Sequence, residues 1–140
     1  MKILFAADGS SYTKKALAFL VTHPELIGSD GEVAVLHIQY AMPPRVTAMV
    51  GSMAVNDYYH EEAGKVLAPV EEFLKRHQLS FTSRWVVGQP APEIIGAAEK
   101  EKAHMVMMGT HGHGLLGRAL MGSVAQKVLV ESPMPVLLVK

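Results

Sequence analysis

The chain has 140 residues, 49% of them apolar, and 13 Lys and Arg balance 13 Asp and Glu, so the formal net charge is zero. That length suits one domain spanning 1–140, and the apolar content is enough to bury a core. Neutrality argues against a nucleic-acid partner, and the absence of cysteine removes disulfides and thiolate zinc sites and fits a reducing compartment.

The first apolar run, Ile3–Ala7, is too short for the core of a signal peptide and is interrupted by Asp8. No segment reaches the roughly 18 apolar residues of a membrane helix. A cytoplasmic protein with no membrane partner is expected. Ile3–Ala7, Val33–Ile38, Met105–Met108 and Val136–Val139 are nearly continuous apolar runs, the pattern of strands covered on both faces. Phe81–Val87 alternates in part through Thr82, Arg84 and Val86, the pattern of an edge strand with one wetter face.

Helical patterns fill the intervals. Ser10 or Ser11 caps a helix with Thr13, Ala16, Leu17 and Leu20 on one face, stopping near Pro24. Tyr40–Asn56 holds Pro43, Pro44, Gly51 and three methionines without a clean period, and reads as a mobile loop over 40–56. Tyr59, Ala63, Val66, Leu67, Val70, Phe73 and Leu74 form a helical stripe that Pro69 should kink or split. Pro92 lies in the first turn of a helix carrying Ile94, Ile95 and Ala98, and Val124 and Val128 mark the inner face of a last helix, with Leu120 a further candidate. Alternation of strand and helix through the chain predicts an α/β fold, a single doubly wound parallel sheet of five strands. In such sheets ligands bind beyond the carboxyl ends of strands where the strand order reverses.

The stretch Met108–Ser123 carries Gly109, Gly112, Gly114, Gly117 and Gly122. Glycines let backbone amides converge on an anion, and Gly122-Ser123 opens a helix whose first amides have no intrahelical partner. Gly112-His113-Gly114-Leu115-Leu116-Gly117 matches a dinucleotide fingerprint, but it falls late in the chain with no strand and acid to follow. There is no G-K-[ST], so phosphate must be held mostly by backbone amides. Asp8 suits either a helix-capping or turn aspartate or a ligand contact at the end of strand one. His111 is a candidate ligand contact, with His113 in solvent; His37 reads as a hydrogen-bonded core histidine, and Trp85 as edge-strand packing. Arg118 suits either a terminal phosphate or solvent. No catalytic triad or committed carboxylate pair is present, so a binding protein is favoured over an enzyme.

With Gly109-Thr110-His111-Gly112, nine residues, then Gly122-Ser123, the sequence closely resembles the ATP-binding subgroup of the universal stress protein family. Ala7-Asp8-Gly9-Ser10, Val35-Leu36-His37-Ile38, Val87-Gly88-Gln89-Pro90, Val106-Met107-Met108-Gly109 and Pro135–Val139 carry the resemblance over essentially the whole chain. The expected strand order is 3-2-1-4-5, with helices on both faces. The resemblance implies a bound adenine nucleotide: ATP, or ADP or AMP, with Mg²⁺. By position, Ala6, Ala7 and Asp8 would lie near the adenosine and Ile38 against the base. Met108, Gly109, His111 and Gly112 would line the ribose and phosphates, and Gly122, Ser123, Val124 and Ala125 would hold the phosphate end. Ala125 replaces a hydroxyl residue of some relatives, and His104 stands where relatives often have an acid. The apolar last strand, with the resemblance, points to a homodimer through 135–139. The implied function is that of a nucleotide-binding regulatory or stress-response protein. Its alternatives are a slow Mg²⁺-dependent ATP hydrolase or self-phosphorylating enzyme, using Asp8 and Ser123 or Thr110, and an interaction module without nucleotide.

Overall fold

The computed structural model describes residues 1–112 and 121–140. In chain order the elements are β1 (Lys2–Ala6), α1 (Ser11–Thr22), a 3-10 turn (Pro24–Leu26), β2 (Glu32–Gln39), α2 (Pro44–Val50), α3 (Ser52–Arg76), β3 (Phe81–Val87), α4 (Pro90–Lys100), β4 (Met105–Gly109), α5 (Ser123–Glu131) and β5 (Val136–Val139). The five strands form one parallel sheet in the order β3-β2-β1-β4-β5, as the sequence led us to expect.

Alternate residues of the central strands feed two cores. Ile3 and Phe5 of β1, Val33 and Val35 of β2 and Met107 of β4 face α1 and α3, where they meet Ala16, Leu20, Leu67, Val70 and Leu74. Leu4, Ala6, Leu36, Ile38, Val106 and Met108 face α4 and α5, where they meet Ile94, Ala98, Ala125 and Val128. Both faces being covered explains why β1, β2 and β4 are continuous apolar runs. Each fully buried Leu, Ile or Phe contributes about 1.5–3 kcal/mol. β3 lies at an edge with Thr82 and Arg84 exposed, matching its partial alternation. Trp85 packs there, with the His60 ring edge-on at 5.0 Å and the Tyr59 ring at 6.4 Å.

Two expectations are corrected. The 40–56 loop is largely helical. Pro44 begins α2, and Gly51 joins α2 to α3, so residues that read as loop punctuation are a helix start and a helix junction. The missing signal is burial: α2 buries no residue, and α3 is first buried at Val55. Pro69 does not split α3, which runs unbroken over 25 residues. Its ring sits on the solvent face, where water can satisfy the carbonyl that loses its amide partner. On the same exposed side, the hydrogen bond to Glu62 and the charges of Glu62 and Glu61 raise the Lys65 ammonium above its ordinary value.

His104 finds a role in joining strands. Its amide donates to the Lys2 carbonyl at 2.9 Å, and its Nδ1 accepts from the Lys2 amide at 2.9 Å.

Candidate functional site

β1 and β4 are neighbours, so their carboxyl ends open into one crevice, as the reversal of strand order requires. The crevice is a cavity of about 470 Å³. The end of β1 supplies Ala6, Ala7 and Asp8; β2 supplies Ile38; β4 and the following turn supply Met108, Gly109, His111 and Gly112; and the start of α5 supplies Gly122, Ser123, Val124 and Ala125. All twelve residues singled out from the sequence line this one space. His113, Arg118 and Leu120 lie outside the described residues.

The first wall is built by the start of α1. Ser10 caps the helix, its hydroxyl accepting from the Thr13 amide at 3.4 Å. Asp8 Oδ1 accepts from the Ser10 amide at 2.9 Å and from the Thr13 hydroxyl at 2.8 Å. The Thr13 hydroxyl oxygen in turn accepts from the Asp8 amide at 3.1 Å. One carboxylate oxygen of Asp8 is thus committed to the turn. The other faces Gly112, where an added Cβ would stand 2.6 Å from Oδ2.

The second wall is the turn after β4. Gly109 has a packing reason for lacking a side chain, because a Cβ there would stand 2.4 Å from Tyr12 Cβ and 3.0 Å from the Tyr12 carbonyl carbon. Buried Thr110 bonds its hydroxyl to His111 Nδ1 at 2.8 Å, and the Tyr12 ring lies 4.7 Å from the His111 ring. The Gly122 amide donates to the Thr110 carbonyl at 2.6 Å, pinning the two ends of the glycine-rich stretch together. That amide is therefore spent inside the protein, and Gly122 contributes lining rather than a donor.

The third wall is α5. Its first intrahelical bond runs from the Gln126 amide to the Gly122 carbonyl. The amides of Ser123, Val124 and Ala125 precede it and carry the positive end of the helix dipole. No Lys or Arg is among the described lining residues, so α5 supplies the positive potential there. Ala6, Ile38, Ile94 and Met108, with Pro90, give the same cavity an apolar wall. The arrangement suits a ligand with a flat apolar part and an anionic tail.

Sequence reasoning omitted Thr13, Gln39, Tyr40, Pro90, Ile94 and Thr110 from the lining. Gln39 ends β2 and Tyr40 follows it, and both could have been found by applying the strand-end rule to that strand too. His37 also lines the cavity, and it is buried and hydrogen-bonded, as its position in a covered strand suggested. Among the described residues no group of three His, Cys, Asp or Glu could hold a metal, and no helix is long and apolar enough to cross a membrane.

Residues 1–140 match the model of the universal stress protein family. A universal stress protein of Thermus aquaticus, encoded beside a QAH/OAS sulfhydrylase, is 33% identical, the match covering 99% of this chain and 97% of that relative. The solved structure of protein MJ0577 of Methanocaldococcus jannaschii is 28% identical, with a TM-score of 0.81 over 99% of this chain and 94% of that one. An Archaeoglobus fulgidus universal stress protein in complex with dAMP shares the fold at 21% identity and a TM-score of 0.69, covering 100% of this chain and 98% of that one. A universal stress protein solved in complex with cAMP shares it at 19% identity and a TM-score of 0.65, covering 100% of this chain and 96% of that one. Match along its full length, sheet order and the crevice at the β1–β4 junction agree: the chain belongs to the universal stress protein family.

Proposed function

We propose that the cavity binds an adenine nucleotide, with ATP as the principal ligand, and that the protein acts through this occupancy as a regulator in the stress response. The carrying observation is the pairing within one cavity of an apolar wall at Ile38 and Met108 with the helix-start amides of Ser123, Val124 and Ala125. Purine stacks on the first, and phosphate is met by the second. Solved family members in complex with dAMP and cAMP support the ligand class. Ala125 brings no hydroxyl, so phosphate recognition rests on the amides and on Ser123. Mg²⁺ would be held mainly by the phosphates and water, since one oxygen of Asp8 is already engaged. A cytoplasmic setting agrees with such a ligand.

A route from the ligand to the surface is short. The Thr110 amide donates to the Val139 carbonyl at 2.9 Å, and Gly109 stands in register with Val139. The phosphate end thus adjoins β5, the edge through which we propose two copies pair. Occupancy that favours one arrangement of this turn would change what partners meet at that edge.

A thermal-shift series with ATP, ADP and AMP, each with Mg²⁺, tests the proposal. A ligand of the folded state at a hundred times its Kd adds about 2.7 kcal/mol of stability. A clear rise in Tm with adenine nucleotides is expected, and an unchanged Tm at millimolar ATP together with silent calorimetry would refute it.

A further inference from the structure

Lys15 is exposed on α1, one turn after Tyr12. Helical side chains incline toward the amino end of their helix, and residues three apart share a face. Lys15 accordingly lies back over its neighbour, with Nζ 4.8 Å from the centroid of the Tyr12 ring. No carboxylate pairs with it: among the described residues the lysines and arginines in ion pairs are Lys2, Lys65, Arg76 and Arg84. The amino end of α1 is the end that meets the cavity, through Asp8 and Thr13. The turn after β4 lies against Tyr12 twice, at Gly109 and at the His111 ring 4.7 Å away. The Lys15 ammonium and the cavity-lining His111 ring thus share one aromatic neighbour.

We propose that Lys15, parked on the Tyr12 ring, is the cation that meets the outer phosphates of the nucleotide and makes the cavity prefer a triphosphate to a monophosphate. The inference rests on the adenine-nucleotide reading and concerns the anionic end of that ligand. A single phosphate is met by the first amides of α5. A triphosphate brings more negative charge than those amides offset, and Asp8 Oδ2 already faces the Gly112 turn. The contact of an ammonium with an exposed aromatic face is weak, whereas a charge-assisted bond to phosphate is strong, so Lys15 leaves the ring when outer phosphates are present. Its long flexible stem gives it that freedom. Without them, Tyr12 keeps the ammonium beside the turn that borders the cavity.

Calorimetry with ATP and AMP, each with Mg²⁺, tests this on the wild-type chain and on variants of exposed residues, which leave the core untouched. Lys15→Ala should weaken ATP binding about fivefold and leave AMP binding unchanged. Lys15→Arg keeps the charge and can still lie on the ring, and should keep the wild-type ratio of the two affinities. Lys14→Ala removes a charge from the same exposed stretch, at a residue without the ring contact, and should change neither. The ring current of Tyr12 gives a second readout by nuclear magnetic resonance. The side-chain methylene signals of Lys15 should lie upfield in the free chain, and should return toward their ordinary positions with ATP but not with AMP. A Lys15→Ala variant with the wild-type ratio, a Lys14→Ala variant with the same loss, or Lys15 signals unmoved by saturating ATP would overturn the proposal and leave the adenine-nucleotide reading standing. Failure of the wild-type chain to bind either nucleotide would overturn both.

Discussion

The carboxylate of Asp8 and the missing side chain of Gly109 both belong to the cavity, yet each also serves the fold. Asp8 closes the first turn of α1 through Ser10 and Thr13. The sequence left a capping or turn aspartate and a ligand contact as alternatives for it; Ser10 is the cap, Asp8 holds the turn before it, and its second oxygen is directed toward the glycine turn. Gly109 stands where α1 crosses β4 at Tyr12. In the sequence it looks no different from Gly112, because a one-dimensional pattern cannot say what lies opposite an absent Cβ. Gly109→Ala should destabilise the free protein by about 1–3 kcal/mol, since backbone must shift to admit the methyl group. Gly64→Ala, in α3 with nothing within 4 Å of its Cβ, should instead stabilise by about 0.5–1 kcal/mol. Urea unfolding of the two variants checks both signs. Equal effects would mean that the close approach of Tyr12 to β4 is not what demands glycine.

At the scale of elements, the strands were legible because burial on both faces writes itself into the sequence as continuous apolar runs. The start of α5 was legible because Gly122-Ser123 precedes an apolar stripe. α2 was not, because a helix with no buried residue has no apolar periodicity to reveal it. Pro69 misled for a related reason: whether a proline breaks a helix depends on whether its face is wet, and tertiary packing decides that. The element that the functional reading depends on most is the first turn of α5. Proline is tolerated at the first helical position, and Gly122 before it is already extended at φ −72° and ψ 158°. Ser123→Pro should therefore leave stability nearly unchanged while removing one amide donor and the hydroxyl, whereas Ser123→Ala removes the hydroxyl alone. ATP affinity should fall about tenfold further in the proline variant than in the alanine variant, as expected for a charge-assisted hydrogen bond. Equal affinities in the two variants, by calorimetry, would mean that the amide does not meet phosphate.

For the molecule as a whole, the alternation of strand and helix gave the fold class, and the family motifs gave the strand order and the location of the crevice. The lining by Pro90 and Ile94 required the structure, since only the packing of α4 against the ends of β1 and β2 brings Ile94 beside Ala6 and Ile38. The two sheet edges differ in kind. β3 carries Arg84, paired with Glu101, whereas β5 is wholly apolar and half-buried, with exposed Leu129 and Val130 on the neighbouring α5. An uncharged edge of this kind favours pairing. Light scattering should give twice the 15.2 kDa of one chain, and Val130→Glu should shift the mass toward the monomer without unfolding it. A monomeric wild-type chain at micromolar concentration would remove the dimer.

The central claim is that adenine lies against Ile38 while the phosphates meet the first amides of α5. Backbone amide chemical shifts followed by nuclear magnetic resonance during titration with Mg²⁺-ATP test it most directly. The account predicts that the amides of Ser123, Val124 and Ala125 shift strongly and follow one saturation curve together with Ile38. Saturable binding that leaves those three amides unmoved would contradict it.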